Sequence, residues 1–432
     1  MTAGLRDFRT VSLLCVVALT LLIGGGTARA ETPFPRTTIP VGEHSGFQLV
    51  DGVIYVTDPD REAITAYGAN GARRWSAAIR VAPPAARIVG AGKVVLVAED
   101  RLGATATVAL DARTGTRLWS VPGRPLRASA SAGTATIVVE PAGDGLGQLP
   151  EPPSTVRGTD LATGAVLWSY DIGAEVGAMA AWIVRVASPA RFEPLGAAIF
   201  DVERGDRIVD LTTGAVSAIG DLPVTLIGSL PVRLESVVVA VLPLGPTIQR
   251  NRGETVDRWT VLAFQGKTMR QIWSTQMDAG LFAFKQCGRL VCAGNGDQLR
   301  AFDPETGGAR WRAPWAYAGG AGPRVLAVAA EDDEGGVGTT VGVIDARTGR
   351  TLTEFGRWLP VSLIDRPWVA LVRATGLPGV AEAATANTTG LRARGMGTFA
   401  GDPEQCQADD RYLACPNHGD EIAVWRYRPD TP

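Results

Sequence analysis

Leu110-Asp111-Ala112-Arg113-Thr114-Gly115-Thr116-Arg117-Leu118-Trp119 recurs through this chain with small changes. It returns as Thr159-Asp160-Leu161-Ala162-Thr163-Gly164-Ala165-Val166-Leu167-Trp168 and as Ala301-Phe302-Asp303-Pro304-Glu305-Thr306-Gly307-Gly308-Ala309-Arg310-Trp311. Each copy is a β-rich run, a tight corner and a tryptophan. The corner chemistry is legible: an Asp side chain can accept backbone N–H groups two residues on, Thr does so more weakly, and Gly takes a positive φ without a Cβ clash.

Degenerate copies keep the same logic. Asp210-Leu211-Thr212-Thr213-Gly214, Asp345-Ala346-Arg347-Thr348-Gly349 and Asn387-Thr388-Thr389-Gly390 lack the Trp, whereas Asn70-Gly71 and Gln265-Gly266 keep it at Trp75 and Trp273 but lose the Thr. Successive corner glycines, at 71, 115, 164, 214, 266, 307, 349 and 390, stand 41 to 52 residues apart. A period of that length holding several strands is the sign of a β-propeller. The expected fold is therefore all-β: a single propeller of four-stranded antiparallel blades, eight in number, with seven or nine as alternatives. Open sheet edges are a hazard, so the segment 37–41 is expected to pair with the C-terminal blade and close the ring.

Within each unit the strands read as short runs of Val, Ile, Thr and aromatics between Gly, Asp or Pro, such as 52–56, 64–67, 93–97 and 106–110. Continuous apolar runs at 237–241 and 368–372 suit strands buried on both faces. The five repeat tryptophans, Trp75, Trp119, Trp168, Trp273 and Trp311, are expected to dock one blade on the next; Trp182, Trp315 and Trp358 fall outside the repeat and are the candidates for an exposed binding surface.

The N-terminus reads differently. Arg6 and Arg9 precede an apolar core at 11–23, and Gly24-Gly25-Gly26-Thr27-Ala28-Arg29-Ala30 offers a small-x-small cleavage site. The reading is a signal peptide over 1–30, a tether and closing strand over 31–45, and the propeller over 46–432. An uncleaved membrane anchor is the alternative, although the apolar core falls short of the roughly 20 residues a span needs. Secretion, or retention at the cell surface by that segment, follows.

Lys and Arg number 42 against 44 Asp and Glu, interspersed without runs. No basic stripe for nucleic acid or polybasic membrane patch results. Outside the leader stand four cysteines, an even number suited to an oxidising compartment. Three pairings are open to them. Cys287 with Cys292 and Cys406 with Cys415 are favoured, since each pair flanks a hairpin-like turn.

The pattern Leu-x-Ala-Phe/Leu-Asp-x-x-Thr-Gly, then Trp, best seen at 298–311 and 108–119, resembles the PQQ-like, or quinoprotein-like, propeller repeat over about residues 46–427. The ending, Arg411-Tyr412-Leu413-Ala414-Cys415-Pro416 and Glu421-Ile422-Ala423-Val424-Trp425, is most similar to exported actinobacterial members. The resemblance implies the fold but admits both quinone-dependent dehydrogenases and the scaffold lipoprotein of outer-membrane assembly. Adjacent cysteines, which clamp the quinone in alcohol-type dehydrogenases, are absent, as are a haem-attachment motif, a nucleophile elbow and a phosphate loop; the histidines are His44 and His418 alone. Acidic clusters at 58–60 and 331–334 lack the continuation of a calcium loop.

No catalytic residue, metal ligand or cofactor is assigned. The function expected is a non-catalytic, monomeric binding or scaffold module for a protein or other envelope macromolecule, with no nucleic acid and with membrane contact only through an uncleaved leader. A PQQ-dependent dehydrogenase and an anchored sensor ectodomain are the alternatives. Connections at 140–153, 189–195, 244–254 and 374–388 are the loops expected to carry specificity.

Overall fold

Short strands between tight corners build the chain where it can be described, apart from one 3-10 turn at Pro403–Gln405. The structure, a computed structural model, describes residues 34–42, 45–81, 88–100, 105–139, 154–172, 283–294, 298–320, 322–329, 338–361 and 367–428, and between 173 and 282 the strands and Gly214. The chain divides into Met1–Pro35, nearly all of which, with the expected leader and cleavage site, lies outside the described residues, and the compact unit Arg36–Pro432.

Within that unit β1 (Arg36–Pro40) precedes three sheets whose strand order follows the chain. They are β2 (Gly46–Val50), β3 (Val53–Asp58), β4 (Ala63–Gly68) and β5 (Arg73–Ala78); then β6 (Ile88–Ala91), β7 (Val94–Asp100), β8 (Thr105–Asp111) and β9 (Arg117–Pro122); then β10 (Arg124–Ser129), β11 (Thr134–Val139), β12 (Ser154–Asp160) and β13 (Val166–Ile172). Four-stranded sheets follow within 179–218, 232–278 and 283–313, all antiparallel.

A seven-stranded sheet then runs from Tyr317–Gly319 to Arg392–Ala400. It holds two corner units joined through Thr351–Pro360, which pairs with Thr339–Asp345 over most of its length and with Trp368–Ala374 through Leu359 and Pro360. Among the described residues, sheets of four or more strands therefore number eight, and the seven-stranded one takes in two of the corners, Gly349 and Gly390.

The last sheet brings the two ends of the unit together. Gln407–Ala408, Tyr412–Asn417 and Glu421–Arg426 are joined by β1, whose residues Arg36 to Pro40 pair antiparallel with Trp425 to Glu421. The N-terminal strand thus covers an edge that the C-terminal hairpin would leave open. Side chains explain the choice: Ile39 is fully buried among Leu49, Ile54, Val56, Ala414, Ile422 and Val424, which come from the closing sheet and from β2 and β3.

The core lies between sheets. Tyr55, Ile64 and Trp75 of the first sheet meet Val95, Val97, Val108 and Leu110 of the second, and Leu96 and Ala109 on the opposite face meet Ala135 and Ile137 of the third. A central strand such as β7 is buried on both faces and so reads as an unbroken Val-Val-Leu-Val run.

Two expected loops are strands. Arg191–Phe200 pairs with Met179–Ser188 in a register that brings Ser188 opposite Arg191. Trp368–Ala374 and Val380–Asn387 form a hairpin closed by Thr375 N–H to the carbonyl of Val380 at 3.0 Å. The Gly and Pro residues that suggested a loop are confined to the turn 375–379, and the Ala-rich run after it packs as a buried central strand. Part of 244–254 forms a small ribbon, Ile248–Gln249 with Thr255–Val256, and 140–153 lies outside the described residues.

Candidate functional site: corners, seams and the outer edge

The corner Asp residues act as small backbone receptors. Asp111 Oδ1 accepts from the N–H of Arg113 at 3.0 Å, the N–H of Thr114 at 2.8 Å and the Thr114 hydroxyl at 2.9 Å. Asp160 and Asp345 repeat this with Thr163 and Thr348, both hydroxyls at 2.8 Å. Asp303 accepts instead from Arg310 as well as from the N–H groups of Glu305 and Thr306. These donors favour the ionised form. The Thr hydroxyls hold Asp111, Asp160 and Asp345 below the usual carboxylate range, and the Arg310 guanidinium does so for Asp303.

Five of the corners also receive the tryptophan of a preceding sheet. Trp75 lies against Gly115, where φ is +73° and an added Cβ would stand 2.5 Å from the ring. The same relation joins Trp119 to Gly164, Trp168 to Gly214, Trp273 to Gly307 and Trp311 to Gly349. Four of these indoles donate their N–H to carbonyls at the corner, among them Trp119 to Leu161 at 3.0 Å, Trp273 to Pro304 at 2.8 Å and Trp311 to Ala346 at 3.0 Å. Corner glycine and tryptophan thus form one seam, in which the glycine is required twice, for its φ and for its missing side chain.

The seam between the closing sheet and the first is built otherwise. Thr37 of β1 lies against Gly71 where the five seams above have Trp. The innermost strands are tied by side chains: Gln407 accepts from Leu49 N–H at 3.0 Å and donates to Phe47 O at 2.8 Å, and Asp409 Oδ2 accepts from Gly52 N–H at 2.6 Å. Asp409 Oδ1 accepts from Arg411 and Tyr412, and its carbonyl receives the Tyr427 hydroxyl. Burial nevertheless pushes the Asp409 carboxyl up, against the pull of those N–H groups. Gln48 makes an equivalent tie to Ile88 N–H at 3.0 Å. The sequence offered no signal for these ties beyond the polar residue in an otherwise apolar inner strand.

Both disulfides lie inside sheets. Cys287 joins Cys292 across the hairpin turn at Gly288-Arg289, and Cys406 joins Cys415 at the start of the closing sheet, with all four cysteines buried. Trp315 and Trp358 are buried as well, so neither offers the exposed surface expected of it. Trp315 fills the core between Cys287, Cys292 and Ile344, and Trp358 packs on Val369 and Leu371 with the Arg373 guanidinium 4.1 Å above its ring. The Trp182 side chain lies outside the described residues.

A bulge shapes the outer edge. In each sheet with a repeat Trp, the residue just before it is skipped by the pairing register: Arg74, Leu118, Leu167, Ile272 and Arg310. A bulge unpairs and re-aims its residue. Leu118, Leu167 and Ile272 are accordingly 45%, 55% and 39% exposed, and Val166 beside Leu167 is 54% exposed. Exposed large apolar side chains among the described residues are these four and Leu377, so they concentrate at one repeat position. The sequence displayed them next to each Trp, but only the register shows that they point outward.

A quinone site can be tested on this geometry. The two disulfides are held within hairpins, and among the described residues no group of three or more His, Cys, Asp or Glu side chains could hold a metal ion. No helix among the described residues is long and apolar enough to cross a membrane.

Comparison with known proteins bears on the repeat. Residues 27–216 match the PQQ-like family model described as outer membrane protein assembly factor BamB. The match takes in the corners at Gly71, Gly115, Gly164 and Gly214. No curated protein matched the chain. Among solved structures, BamB from Moraxella catarrhalis is 16% identical, with 93% of this chain and 99% of that chain covered and a TM-score of 0.45. The WD40 domain of SCAP from fission yeast is 8% identical, covering 91% and 98% with a TM-score of 0.42. Dihydro-heme d1 dehydrogenase NirN in complex with DHE is 12% identical, covering 76% and 75% with a TM-score of 0.43. The all-β propeller architecture and the PQQ-like repeat agree with the strand order described above.

Proposed function

We propose that this protein is an exported, non-catalytic β-propeller that binds a protein or another macromolecule of the cell envelope. One observation carries the reading: among the described residues the exposed apolar side chains Leu118, Val166, Leu167 and Ile272 lie on outer strands, at or beside the bulge before a repeat Trp, while the recurrent Asp, Thr, Gly and Trp residues are engaged in corners and seams. Clustered exposed apolar residues mark interaction surfaces. The match of residues 27–216 to an assembly-factor family supports it, and two buried disulfides suit an oxidising compartment. The leader over 1–30 is proposed to direct export and to be removed, leaving a monomer.

The test has two arms. Photo-crosslinking residues introduced along the outer strands of the protein in its own cells should give one discrete adduct from neighbouring positions and none from the corner turns; adducts from no position, or equally from all, would remove the binding reading. Incubation with PQQ and Ca²⁺, followed by dye reduction with alcohols and aldose sugars, should give neither stoichiometric quinone binding nor turnover. Turnover would establish the dehydrogenase.

A further inference from the structure

The outer strand of each sheet presents an edge of unpaired N–H and C=O groups, which invites another strand unless it is guarded by charge, proline or brevity. Most outer strands here are guarded. β5 carries Arg73 and Arg74, β9 carries Arg117 and Pro122, and Ala309–Ala313 carries Arg310 and Arg312. The strands Arg36–Pro40 and Arg392–Ala400 open on arginine, and Val216–Ala218 is three residues long. Two outer strands are long and carry neither a basic residue nor proline: β13, which reads Val-Leu-Trp-Ser-Tyr-Asp-Ile, and Gln271–Asp278, each with a single Asp toward its C-terminal end.

We propose that β13 is a strand-addition site for an extended segment of a different polypeptide. The strand is the last in its sheet, and no other described strand pairs with it. Its ladder with β12 is regular from Trp168 to Ile172, beyond the bulge at Leu167, so its free edge is straight over those residues. Val166 and Leu167 stand exposed at one end and Asp171 at the other, its carboxylate accepting the Thr155 hydroxyl at 2.8 Å. That arrangement selects the occupant's chemistry. Backbone pairing requires an extended chain, the Val166–Leu167 end requires apolar side chains, and Asp171 requires a cation. In antiparallel addition the basic residue falls near the N-terminal end of the incoming segment. A second copy of β13 would set its own Asp171 beside Val166 and supply no cation, so a different polypeptide fits better. Gln271–Asp278, likewise unguarded and also ending in Asp, offers a second edge of the same kind.

The inference rests on the binding reading above, and the two can fail separately: crosslinks that map to other strands would leave that reading standing and remove this one. The probe is an acetylated, amidated seven-residue peptide of alternating valine and threonine opening on arginine, added to the full protein. Hydrogen exchange should slow in 166–172, and Leu167→Lys and Ser169→Pro should each weaken binding by about tenfold or more. Replacing the peptide's arginine by glutamate should weaken it as well, whereas Leu377→Lys, exposed in the turn 375–379 and on no outer strand, should leave binding unchanged. Failure of the peptide to protect 166–172 at about 1 mM overturns the proposal, as does protection indifferent to Leu167→Lys. Sedimentation closes the remaining route, since a dimer dissociated by Leu167→Lys would make the occupant a second copy and overturn the assignment to a different polypeptide.

Discussion

The indole N–H of Trp75 donates to the carbonyl oxygen of Ala112 at 2.9 Å, across 37 residues of chain. Trp75 belongs to one sheet and Ala112 to the corner of the next, so this bond is a seam between neighbours in the ring. The same ring also covers Gly115, which leaves the indole little room to move without opening the corner.

Trp75→Ala and Trp119→Ala should each destabilise the protein by about 3–5 kcal/mol, the cost of a large cavity in a core that cannot collapse. Trp75→Phe keeps most of the packing and loses the bond to Ala112, and its cost should be nearer 1 kcal/mol. Denaturant unfolding of the three variants measures the difference. Equal losses for Phe and Ala would show that the hydrogen bond, not the ring, holds the seam.

Acid should loosen the corners before the core. The folded values of Asp111, Asp160, Asp303 and Asp345 lie below those of an unfolded chain. Their contribution is fully present above about pH 4, the unfolded value, and is lost as pH falls through the lower folded values. Asp409 has the opposite sign, since its raised folded value favours the native state as protons are added. Four depressed groups outweigh one raised group in number, so acid should destabilise. Asn387 already fills a corner with a neutral side chain, accepting from Thr389 and Gly390 N–H groups at 2.9 and 2.7 Å. Replacing the four aspartates by asparagine should therefore flatten the acid limb of a stability-against-pH profile; an unchanged limb would place the acid sensitivity elsewhere.

Closure by β1 makes five residues at the start of the unit decisive for its end. Ile39→Ala should cost about 2–5 kcal/mol, and deletion of 36–40 should expose the backbone of Glu421–Arg426. Hydrogen exchange reads this directly, as faster exchange concentrated in 407–426 and in β2. Uniform acceleration over the whole protein would mean that the ring opens as one unit.

The corners were legible in the sequence because their chemistry is local. Asp, Thr and Gly at fixed offsets serve one another within five residues, and Trp75, Trp119, Trp168, Trp273 and Trp311 mark the outer strand of each sheet they end. Closure was legible from the same count, which left the C-terminal hairpin one strand short. The number of units was less so, because Thr351–Pro360 serves two of them, and no local residue pattern marks a strand that changes partners. Trp315 and Trp358 failed as surface candidates since an isolated Trp carries no periodicity to say which way it faces. The ties from Gln407 and Asp409 span about 360 residues of sequence, and no local pattern could reveal them. Leu118, Leu167 and Ile272 were in view but uninterpreted: alternation along a strand assigns faces, and a bulge shifts that alternation by one residue.

The disulfides give the last prediction. Non-reducing peptide mapping of the protein should find Cys287 joined to Cys292 and Cys406 to Cys415, the pairs the structure brings together. Loops this short restrict the unfolded chain little, and each bond should contribute about 2–3 kcal/mol. Their effects should differ in place. Cys406 directly precedes Gln407, which ties the closing sheet to β2, and Cys415 sits on the neighbouring strand. Replacing Cys406 and Cys415 together by serine should thus release the seam between the last sheet and the first, seen as faster exchange in 46–52 and 407–417. Replacing Cys287 and Cys292 should act on the packing around Trp315 and Ala318 and leave the closing seam protected. A crossed pairing, or exchange patterns that do not separate the two variants, would contradict the assignment of one bond to closure and the other to an internal hairpin.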